Sequence, residues 1–490
     1  MRRTLLVVLA VLASLVTVPT LATPSYAAAS RPEQQGRWLL DEQGRVRIDH
    51  GVNMVSKRTP YAADSVGFGA DDARFLARNG FTSVRLGVIW KAVEPRPGQY
   101  DDAYLDRIER TVRILDRHGI VSLLDFHQDL YNERFQGEGA PDWAVQDDGI
   151  PAQPQAGFPA NYFVMTAMWR AYDHFWANDA GPGGVGLQDR YAAAWRHVAK
   201  HFRDVPGVQG FDIFNEPFPG SQWPSCFNPL GCPVWDQTLT AFSQRVIDAI
   251  RAVDSRTTIY YEPNLFFNDG IATHVAPEGE RLGFSFHIYC GTSAIADQYG
   301  VECDVLDELT LDNADAQAAE HDVTPMLTEF GATQDPKALT GVTDLAMKHL
   351  TGWQYWAYCG CDDPTTTGPG TKQALVIDPR KAPRGANVDS GKLRILAVPH
   401  PLRVAGEPLS YGFDRERRVF RFTWSGVRVG TERLFPSRAR TTVVLPELQY
   451  PDGYRVISKD ARVLSESNAR VLVLALERAR DQATIRVEPR

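Results

Sequence analysis

The chain has 490 residues, of which 43% are hydrophobic and 23% are charged, and these are the proportions of an ordinary globular protein. The composition excludes a disordered, collagen-like or coiled-coil chain, and the length predicts two to four domains at about 100 to 200 residues each. Its 52 basic and 60 acidic residues give a net charge of -8. Because the basic residues are scattered rather than gathered in a stripe, nucleic-acid binding is not expected.

The N-terminus has the pattern of a secretory signal peptide over residues 1–29. Two arginines precede an apolar run from Leu5 to about Val18, and small residues follow that run. The alternative is an uncleaved anchor helix, which would need about 20 apolar residues to span a bilayer. We therefore predict a secreted, extracellular protein in which no later segment crosses a membrane.

The cysteines predict disulfides, because disulfides persist in the oxidising compartments that secretion implies. Several connectivities are possible, and three local pairs are the simplest: Cys226 with Cys232, Cys290 with Cys303, and Cys359 with Cys361. A zinc site is the alternative, but the Cys-x-x-Cys and His spacings of structural zinc are missing.

Short apolar runs alternate with helical segments, which predicts an α/β chain with a (β/α)8 TIM barrel over residues 30–385. The predicted strands are Ile48 to Asn53, Ser83 to Leu86, Ile120 to Phe126, Gln209 to Phe214, Thr258 to Tyr261, Gly283 to Ile288, Pro325 to Thr328 and Gly352 to Trp356. The predicted helices are Asp72 to Arg78, Asp102 to Arg117, Asp189 to Phe202, Trp235 to Ala252, Ala314 to Glu320 and Thr343 to Leu350. The fifth and eighth helices are weak in sequence. A doubly wound open sheet is the alternative, although no G-x-G-x-x-G turn follows the first strand.

Residues 386–490 change to short strands separated by turns, which predicts a C-terminal antiparallel β-sandwich. The predicted strands are Leu393 to Ala397, Val419 to Trp424, Thr441 to Leu445, Tyr454 to Ser458, Val471 to Leu476 and Ala483 to Val487. Polar and apolar residues alternate in several of them, as in half-buried strands.

Polar residues stand at the ends of the predicted barrel strands, where such a barrel places its catalytic groups. They are Arg85 after strand 2, His127 after strand 3, Asn215 and Glu216 after strand 4, His287 and Tyr289 around the end of strand 6, Glu329 after strand 7, and Trp356 on strand 8. Two carboxylates among such companions are what a retaining glycosidase uses as acid/base and nucleophile, about 5 to 5.5 Å apart.

This set resembles glycoside hydrolase family 5, whose eight recurring active-site residues it matches in type and order. The Asn-Glu-Pro motif at 215–217 is the clearest short signal. Within that family the chain is similar to the endoglycoceramidases, on the motifs DFHQD at 125–129, GAPDWA at 139–144 and RAYDHFW at 170–176. The likeness spans the barrel and the appended β-domain.

The resemblance implies that Glu216 is the general acid/base and Glu329 the nucleophile. Glu216 must then hold a proton near neutral pH while Glu329 is ionised, so their surroundings should separate their pKa values. Arg85 and Tyr289 are expected to lower the pKa of Glu329 through charge and hydrogen bonding. Asn215 would bind the sugar 2-hydroxyl.

The remaining members of the set would bind substrate. Trp356 would lie flat beneath the sugar. Lys57 and Asp129 match a lysine and an acid with which the subgroup binds the first sugar. Structural alternatives stay open: barrel packing for Trp356, satisfied core positions for His127 and His287, and surface charges for Lys57 and Asp129.

The segment from Leu130 to Gln188 is too long for an ordinary loop, and such insertions are usually functional. Its large apolar residues recur at helical spacing: Tyr162, Phe163, Met165, Met168, Trp169, Tyr172, Phe175 and Trp176. A helix packed on the barrel is one interpretation. The other is that part of this face, together with Phe266 and Phe267, lines an apolar slot for lipid tails.

The resemblance implies hydrolysis of the bond between glycan and ceramide in glycosphingolipids, releasing an intact oligosaccharide with retained configuration and needing no metal or cofactor. The substrate would lie in a membrane or micelle surface, and no obligate protein partner is implied. The C-terminal domain would orient the enzyme there or only stabilise the barrel. The alternatives are a family 5 enzyme acting on soluble β-glucan, an exo-acting enzyme on glucosylceramide, and a non-enzymatic binding module, which should have lost one of the two glutamates.

Overall fold

A computed structural model of the protein describes residues 33–291, 298–477 and 482–490, and the predicted signal peptide lies outside them. The strands in these residues are β1 Glu33–Gln35, β2 Trp38–Leu40, β3 Val46–Arg47, β4 His50–Met54, β5 Ser83–Val88, β6 Val121–Phe126, β7 Val208–Asp212, β8 Thr258–Tyr261, β9 Leu282–Ile288, β10 Thr324–Phe330, β11 Gly352–Tyr355, β12 His400–Val404, β13 Glu407–Asp414, β14 Val419–Ser425, β15 Thr441–Val444, β16 Tyr454–Lys459, β17 Ala461–Val463, β18 Val471–Leu476 and β19 Gln482–Pro489. The α-helices are α1 Ala70–Arg78, α2 Trp90–Val93, α3 Asp102–Arg117, α4 Asn161–Val164, α5 Thr166–Trp176, α6 Leu187–Phe202, α7 Trp223–Cys226, α8 Pro233–Arg251, α9 Val301–His321, α10 Pro336–Lys348 and α11 Ser390–Leu396.

Strands β4 to β11 form a closed parallel barrel in which each strand pairs with the next and β11 pairs with β4. All of their residues are buried, as expected for parallel strands that are covered on both faces. The (β/α)8 prediction is therefore confirmed, and the open doubly wound sheet is excluded.

Helices cover the outside of the barrel, and α3 shows why they form. The Asp101 side chain caps this helix by accepting the backbone N–H of Tyr104 at 3.0 Å. Leu105, Ile108 and Val112 repeat at helical spacing and are all buried. The weak fifth helix is only a 3-10 turn in the structure, Leu265–Asp269. Within the described residues, no helix is both long and apolar enough to cross a bilayer.

The C-terminal part consists of two antiparallel sheets, and it includes strands from the N-terminus. The larger sheet has the order β1-β2-β3-β12-β15-β18-β17, and the smaller one β13-β14-β19-β16. Val404 of β12 is registered with Val46 of β3, so the first described residues join the sheet of the C-terminal part rather than the barrel. Six of the eleven described strands in these sheets were not predicted from the sequence: β1, β2, β3, β12, β13 and β17.

One predicted strand of this region, Leu393 to Ala397, is wrong. These residues lie in helix α11, whose first turn is capped by the Asp389 side chain accepting the N–H of Lys392 at 3.0 Å. The alternating apolar residues suggested a strand, but the buried pair is Leu393 and Leu396, three residues apart. The cap and this spacing favour a helix.

Two histidines are buried where the bottom of the barrel meets the C-terminal sheets. The rings of His50 on β4 and His400 on β12 stack at 3.8 Å, and His50 Nε2 lies 3.3 Å from the Tyr411 hydroxyl. Burial lowers the pKa of His400 to about 4. Burial, then the charges of His400 and Arg415, hold the pKa of His50 well below its usual range. Both imidazoles are therefore neutral in the folded protein near neutral pH.

We expect the free energy of unfolding to fall as the pH is lowered from about 6.5 toward 4, because the unfolded chain takes up protons that these folded histidines exclude. For His400 the loss should be about 3 kcal/mol, at roughly 1.4 kcal/mol per pKa unit. In His400→Phe the free energy of unfolding should depend less on pH, as measured by denaturant titrations repeated across that pH range. Tyr411→Phe, which changes the same cluster without removing a histidine, should keep the pH dependence of the wild type. An unchanged pH dependence in His400→Phe would contradict a low pKa for His400.

Candidate active site

A buried arginine lies at the carboxyl-terminal end of the barrel. Arg85, on β5, is fully buried. Its guanidinium donates to the side-chain oxygen of Asn215 at 2.9 Å. It contacts four carboxylates from different strand ends: Asp212 at 2.8 Å, Glu262 at 3.0 Å, Asp125 at 3.1 Å and Glu329 at 2.5 Å. A buried cation is stable only when it is paired in this way.

Glu329 is held by two donors. Arg85 contacts Oε1, and the Tyr289 hydroxyl donates to Oε2 at 3.0 Å. Burial raises the pKa of the Glu329 carboxyl, while His287 and Arg85 oppose the rise. Arg85 thus acts in the direction expected from the sequence, although burial outweighs its effect.

Glu216 faces Glu329 across the site. Its Oε1 accepts a hydrogen bond from the Asn268 amide at 2.7 Å and lies 2.8 Å from Nδ1 of His287. Its backbone N–H donates to Glu262 at 2.8 Å. Oxygens of Glu216 and Glu329 and a ring nitrogen of His287 lie within 4.8 Å of one another. This separation matches a retaining pair rather than the wider inverting one, about 6.5 to 9.5 Å.

Lys57 forms a second buried charge cluster. Its ammonium lies 2.5 Å from Asp129 and 3.2 Å from Asp363 and donates to the Thr365 hydroxyl at 2.9 Å. Although burial opposes it, the Asp129 carboxylate raises the pKa of Lys57 above its ordinary value. Burial raises the pKa of Glu138, which lies 3.9 Å from Lys57. Lys57 and Asp129 are only 3% exposed, so the interpretation as surface charges is wrong.

His127 and Trp356 stack beside this cluster, with ring centroids 5.2 Å apart, and the Lys57 ammonium lies 4.4 Å from the centre of the Trp356 ring. His127 Nδ1 is 2.7 Å from Asp125 and Nε2 is 3.4 Å from Asp129. Although burial opposes it, the Asp125 carboxylate raises the pKa of His127 to about 10. The imidazole is therefore charged near neutral pH and links the two carboxylates.

These groups line a pocket with two different ends. Six of the ten predicted site residues face it: Lys57, Asp129, Glu216, Tyr289, Glu329 and Trp356. The other four are buried beneath the pocket. Arg85 bonds to Glu329 and His287 to Glu216, His127 lies 3.4 Å from Asp129, and Asn215 is held by Arg85. Apolar residues line the opposite end: Phe158, Pro159, Phe163, Leu265 and Phe266. Glu216 bonds to Asn268, which lies in the same 3-10 turn as Leu265 and Phe266.

The aromatic residues of the insertion fall into two groups, one that lines the pocket and one that is buried among the helices. Phe163 reaches the pocket and is 39% exposed. Phe175 and Trp176 are buried among the helices, as the packing interpretation predicts. Phe266 lines the pocket, but Phe267 packs against Phe284 and Phe286 in the barrel wall. The expectation that Phe267 lines the slot is wrong.

Several site residues were not predicted. Glu262 follows β8 directly, so the strand-end rule that found the other residues also applies to it. Asn268 and Asp269 lie in the 3-10 turn after β8, and burial raises the pKa of Asp269 to about 6. Glu138 and Thr365 lie in long loops, and nothing in their sequence context marks them.

An eight-stranded parallel barrel with paired glutamates at the carboxyl ends of its strands is the architecture of a barrel glycoside hydrolase. Residues 50–362 match the model of Cellulase (glycosyl hydrolase family 5), and residues 399–488 match the glycoside hydrolase family 5 C-terminal domain. The chain belongs to glycoside hydrolase family 5.

Individual relatives are similar over nearly the whole chain. Endoglycoceramidase I of Rhodococcus hoagii is 32% identical over 91% of this chain and 86% of its own length. An endoglycoceramidase of Hydra vulgaris is 26% identical over 89% of this chain and 84% of its own. The solved endo-glycoceramidase II from Rhodococcus sp. is 28% identical and covers 92% of this chain and 99% of its own, and it superposes with a TM-score of 0.74 both as a lactosyl-enzyme intermediate and in complex with ganglioside GM3.

Lys57→Met should destabilise the protein by about 3 to 5 kcal/mol, because it leaves buried carboxylates without their cation. The matched control is Lys91→Met, which breaks partly exposed pairs with Glu133 and Asp142 and should cost about 1 kcal/mol or less. Denaturant unfolding of both variants at neutral pH measures the difference. Equal losses in the free energy of unfolding would show that the buried pairs of Lys57 stabilise the protein no more than the partly exposed pairs of Lys91.

Proposed function

We propose that this protein is a secreted, retaining endo-glycosidase that hydrolyses the β-glycosidic bond between the oligosaccharide and ceramide of glycosphingolipids. It releases the intact glycan and ceramide. The observation that carries the proposal is the pocket, which is lined by both glutamates, by charged groups such as Lys57 and Asp129, and by apolar residues such as Phe163 and Phe266. A substrate cut at that point has a sugar on one side and a lipid on the other, and the similarity to endoglycoceramidases supports the same assignment.

In the first step, Glu329 attacks the anomeric carbon and Glu216 donates a proton to the leaving ceramide oxygen. The bonds from Arg85 and Tyr289 occupy both Glu329 oxygens and fix the carboxylate for attack. On Glu216, Oε1 is occupied by Asn268 and His287. The other oxygen, Oε2, is therefore the one that carries the transferred proton.

In the second step, water hydrolyses the glycosyl ester on Glu329, and Glu216 accepts the proton of that water. Two displacements at one carbon retain its configuration. The carboxylate separation in this chain favours this route, and the solved relative described as a lactosyl-enzyme intermediate supports it.

The charged end of the pocket is suited to the sugar. Lys57 and Asp129 offer a donor and an acceptor to hydroxyl groups, and both are already fixed by their ion pair. Trp356 lines the pocket beside them and offers an apolar ring surface to a sugar. The amide of Asn215, held by Arg85 and the Gln128 carbonyl, is assigned to the sugar 2-hydroxyl.

The apolar end is suited to ceramide. Phe163, Leu265 and Phe266 line the pocket there, and an apolar lining of this kind removes hydrocarbon from water. Secretion is supported by the N-terminal sequence pattern and by disulfides that join Cys226 to Cys232, Cys290 to Cys303 and Cys359 to Cys361.

The products of a substrate panel test the proposal. Purified protein should be incubated, in detergent micelles where needed, with a ganglioside, a galactose-headed glycolipid and carboxymethylcellulose, and the products resolved by mass spectrometry. We expect intact sialylated glycan and ceramide from the ganglioside. Release of single sugars, or cleavage of cellulose alone, would contradict the proposal.

The two glutamates should respond differently to the leaving group. Glu216→Gln should lose about 10²- to 10⁴-fold in glycolipid cleavage but should keep a fast first step with a dinitrophenyl lactoside, whose leaving group needs no proton. Glu329→Gln should lose both reactions, since no nucleophile remains. Pre-steady-state release of dinitrophenol measures the first step.

The exposed residue Glu280 supplies the control, and Glu280→Gln should match the wild type with both substrates. NMR of the first-formed sugar should show the β-anomer. An α-anomer, or full dinitrophenyl lactoside cleavage by Glu329→Gln, would contradict the assigned mechanism.

A further inference from the structure

One stretch beside the active site is almost free of charge. Residues 217–244 contain a single charged side chain, Asp236, whereas the overall content of 23% would give about six. Asp236 is fully buried and accepts hydrogen bonds from Asn264 and from the backbone of His274. The surface that this stretch presents therefore carries no charge.

The same stretch exposes large apolar side chains. Phe227 is 62% exposed and Leu230 is 78% exposed, and both lie in the loop that the Cys226–Cys232 disulfide closes. Val234, at the start of α8, is 76% exposed. Three large apolar side chains exposed within eight residues are typical of an interaction site, unlike single exposed residues. We name Phe227, Leu230 and Val234 the apolar rim.

The apolar rim continues into the apolar end of the pocket. The ring of Phe227 contacts that of Phe266 edge-on, with centroids 5.6 Å apart, and Phe266 lines the pocket. The ring centroid of Phe163 lies 6.4 Å from that of Phe266 and 5.2 Å from that of Trp223. The apolar surface is therefore continuous from the pocket wall to the outside of the protein.

We propose that the apolar rim is a membrane-docking surface, by which the enzyme inserts Phe227, Leu230 and Val234 into the outer layer of a lipid bilayer. A bilayer interior is uncharged, and the charge-free stretch matches it. Docking by this route draws on the burial of apolar surface and not on attraction to anionic lipids. It places the apolar end of the pocket directly over the lipid.

This surface gives the proposed function its route to substrate and rests on that function. A glycosphingolipid is embedded by its ceramide, and a pocket that opens at the bilayer surface receives ceramide without passing it through bulk water. Exposure of ceramide to water would cost about 0.8 kcal/mol for each CH₂ group.

The C-terminal sheets offer a weaker surface. Ile457 on β16 is 47% exposed, but Arg455 and Lys459 stand two residues away on either side and share its sheet face. Leu409 on β13 is 46% exposed at the opposite edge of the same sheet. These residues do not form a continuous apolar patch, so they serve as the matched control.

Binding to vesicles tests the proposal. The full-length mature protein, its Phe227→Ser/Leu230→Ser variant and its Leu409→Ser/Ile457→Ser variant should be sedimented with phosphatidylcholine vesicles, with and without phosphatidylserine, at low and high salt. We expect the rim variant to bind about tenfold or more weakly, because it loses two large apolar side chains. The sheet variant should bind like the wild type, and neither salt nor phosphatidylserine should change binding much.

Activity separates this proposal from the proposed function. The rim variant should cleave dinitrophenyl lactoside and micellar ganglioside nearly as the wild type does, and should lose about tenfold on ganglioside in vesicles. Wild-type failure on micellar ganglioside would overturn the proposed function, whereas wild-type success there with no loss by the rim variant on vesicles would overturn only the docking surface. Wild-type protein that does not bind vesicles, needs phosphatidylserine, or dimerises through the rim in light scattering would also overturn it.

Discussion

The pairing of the buried Arg85 guanidinium with acids from four strand ends is the constraint on which the active site depends. A buried cation costs several kcal/mol unless carboxylates surround it, so β6, β7, β8 and β10 must bring their acids to one place. The same guanidinium fixes Asn215 and Glu329. Burial raises the pKa of Asp212, and the charge of Arg85 opposes the rise.

This cluster extends without a break to the charged end of the pocket. His127 contacts Asp125, which pairs with Arg85, and Asp129, which pairs with Lys57. The charged histidine therefore joins two cations through two carboxylates, and each group is neutralised by its neighbours. Because the chain of contacts is buried, its members cannot reorient without losing a partner, and the polar groups are preorganised before any ligand arrives.

The sequence predicted the barrel well, because each parallel strand is a continuous apolar run and the catalytic groups follow strand ends. Glu262 obeys the same rule and was overlooked. Other features depend on contacts between distant residues. The pairing of β3 with β12 and the packing of Phe267 inward while Phe266 faces the pocket cannot be read from residue types. The strand predicted at Leu393 to Ala397 is a helix, α11, because a short apolar alternation fits both strand and helix. Only the cap distinguishes them.

The two ends of the pocket are held in place by opposite kinds of interaction, and this difference fits the proposed cleavage of an amphiphile. Directional ion pairs fix Lys57, Asp129 and Glu329, where the hydroxyl groups of a sugar require exact geometry. Aromatic contacts that lack directional bonds hold Phe163 and Phe266, where hydrocarbon tails need only an apolar surface. Glu216 contacts both kinds of surroundings, because its Oε1 is bonded to the buried His287 and to Asn268 of the 3-10 turn that carries Phe266. The glycosidic oxygen of a glycolipid is itself the point where sugar ends and lipid begins, so a proton donor at this boundary acts on the one bond that joins the two parts.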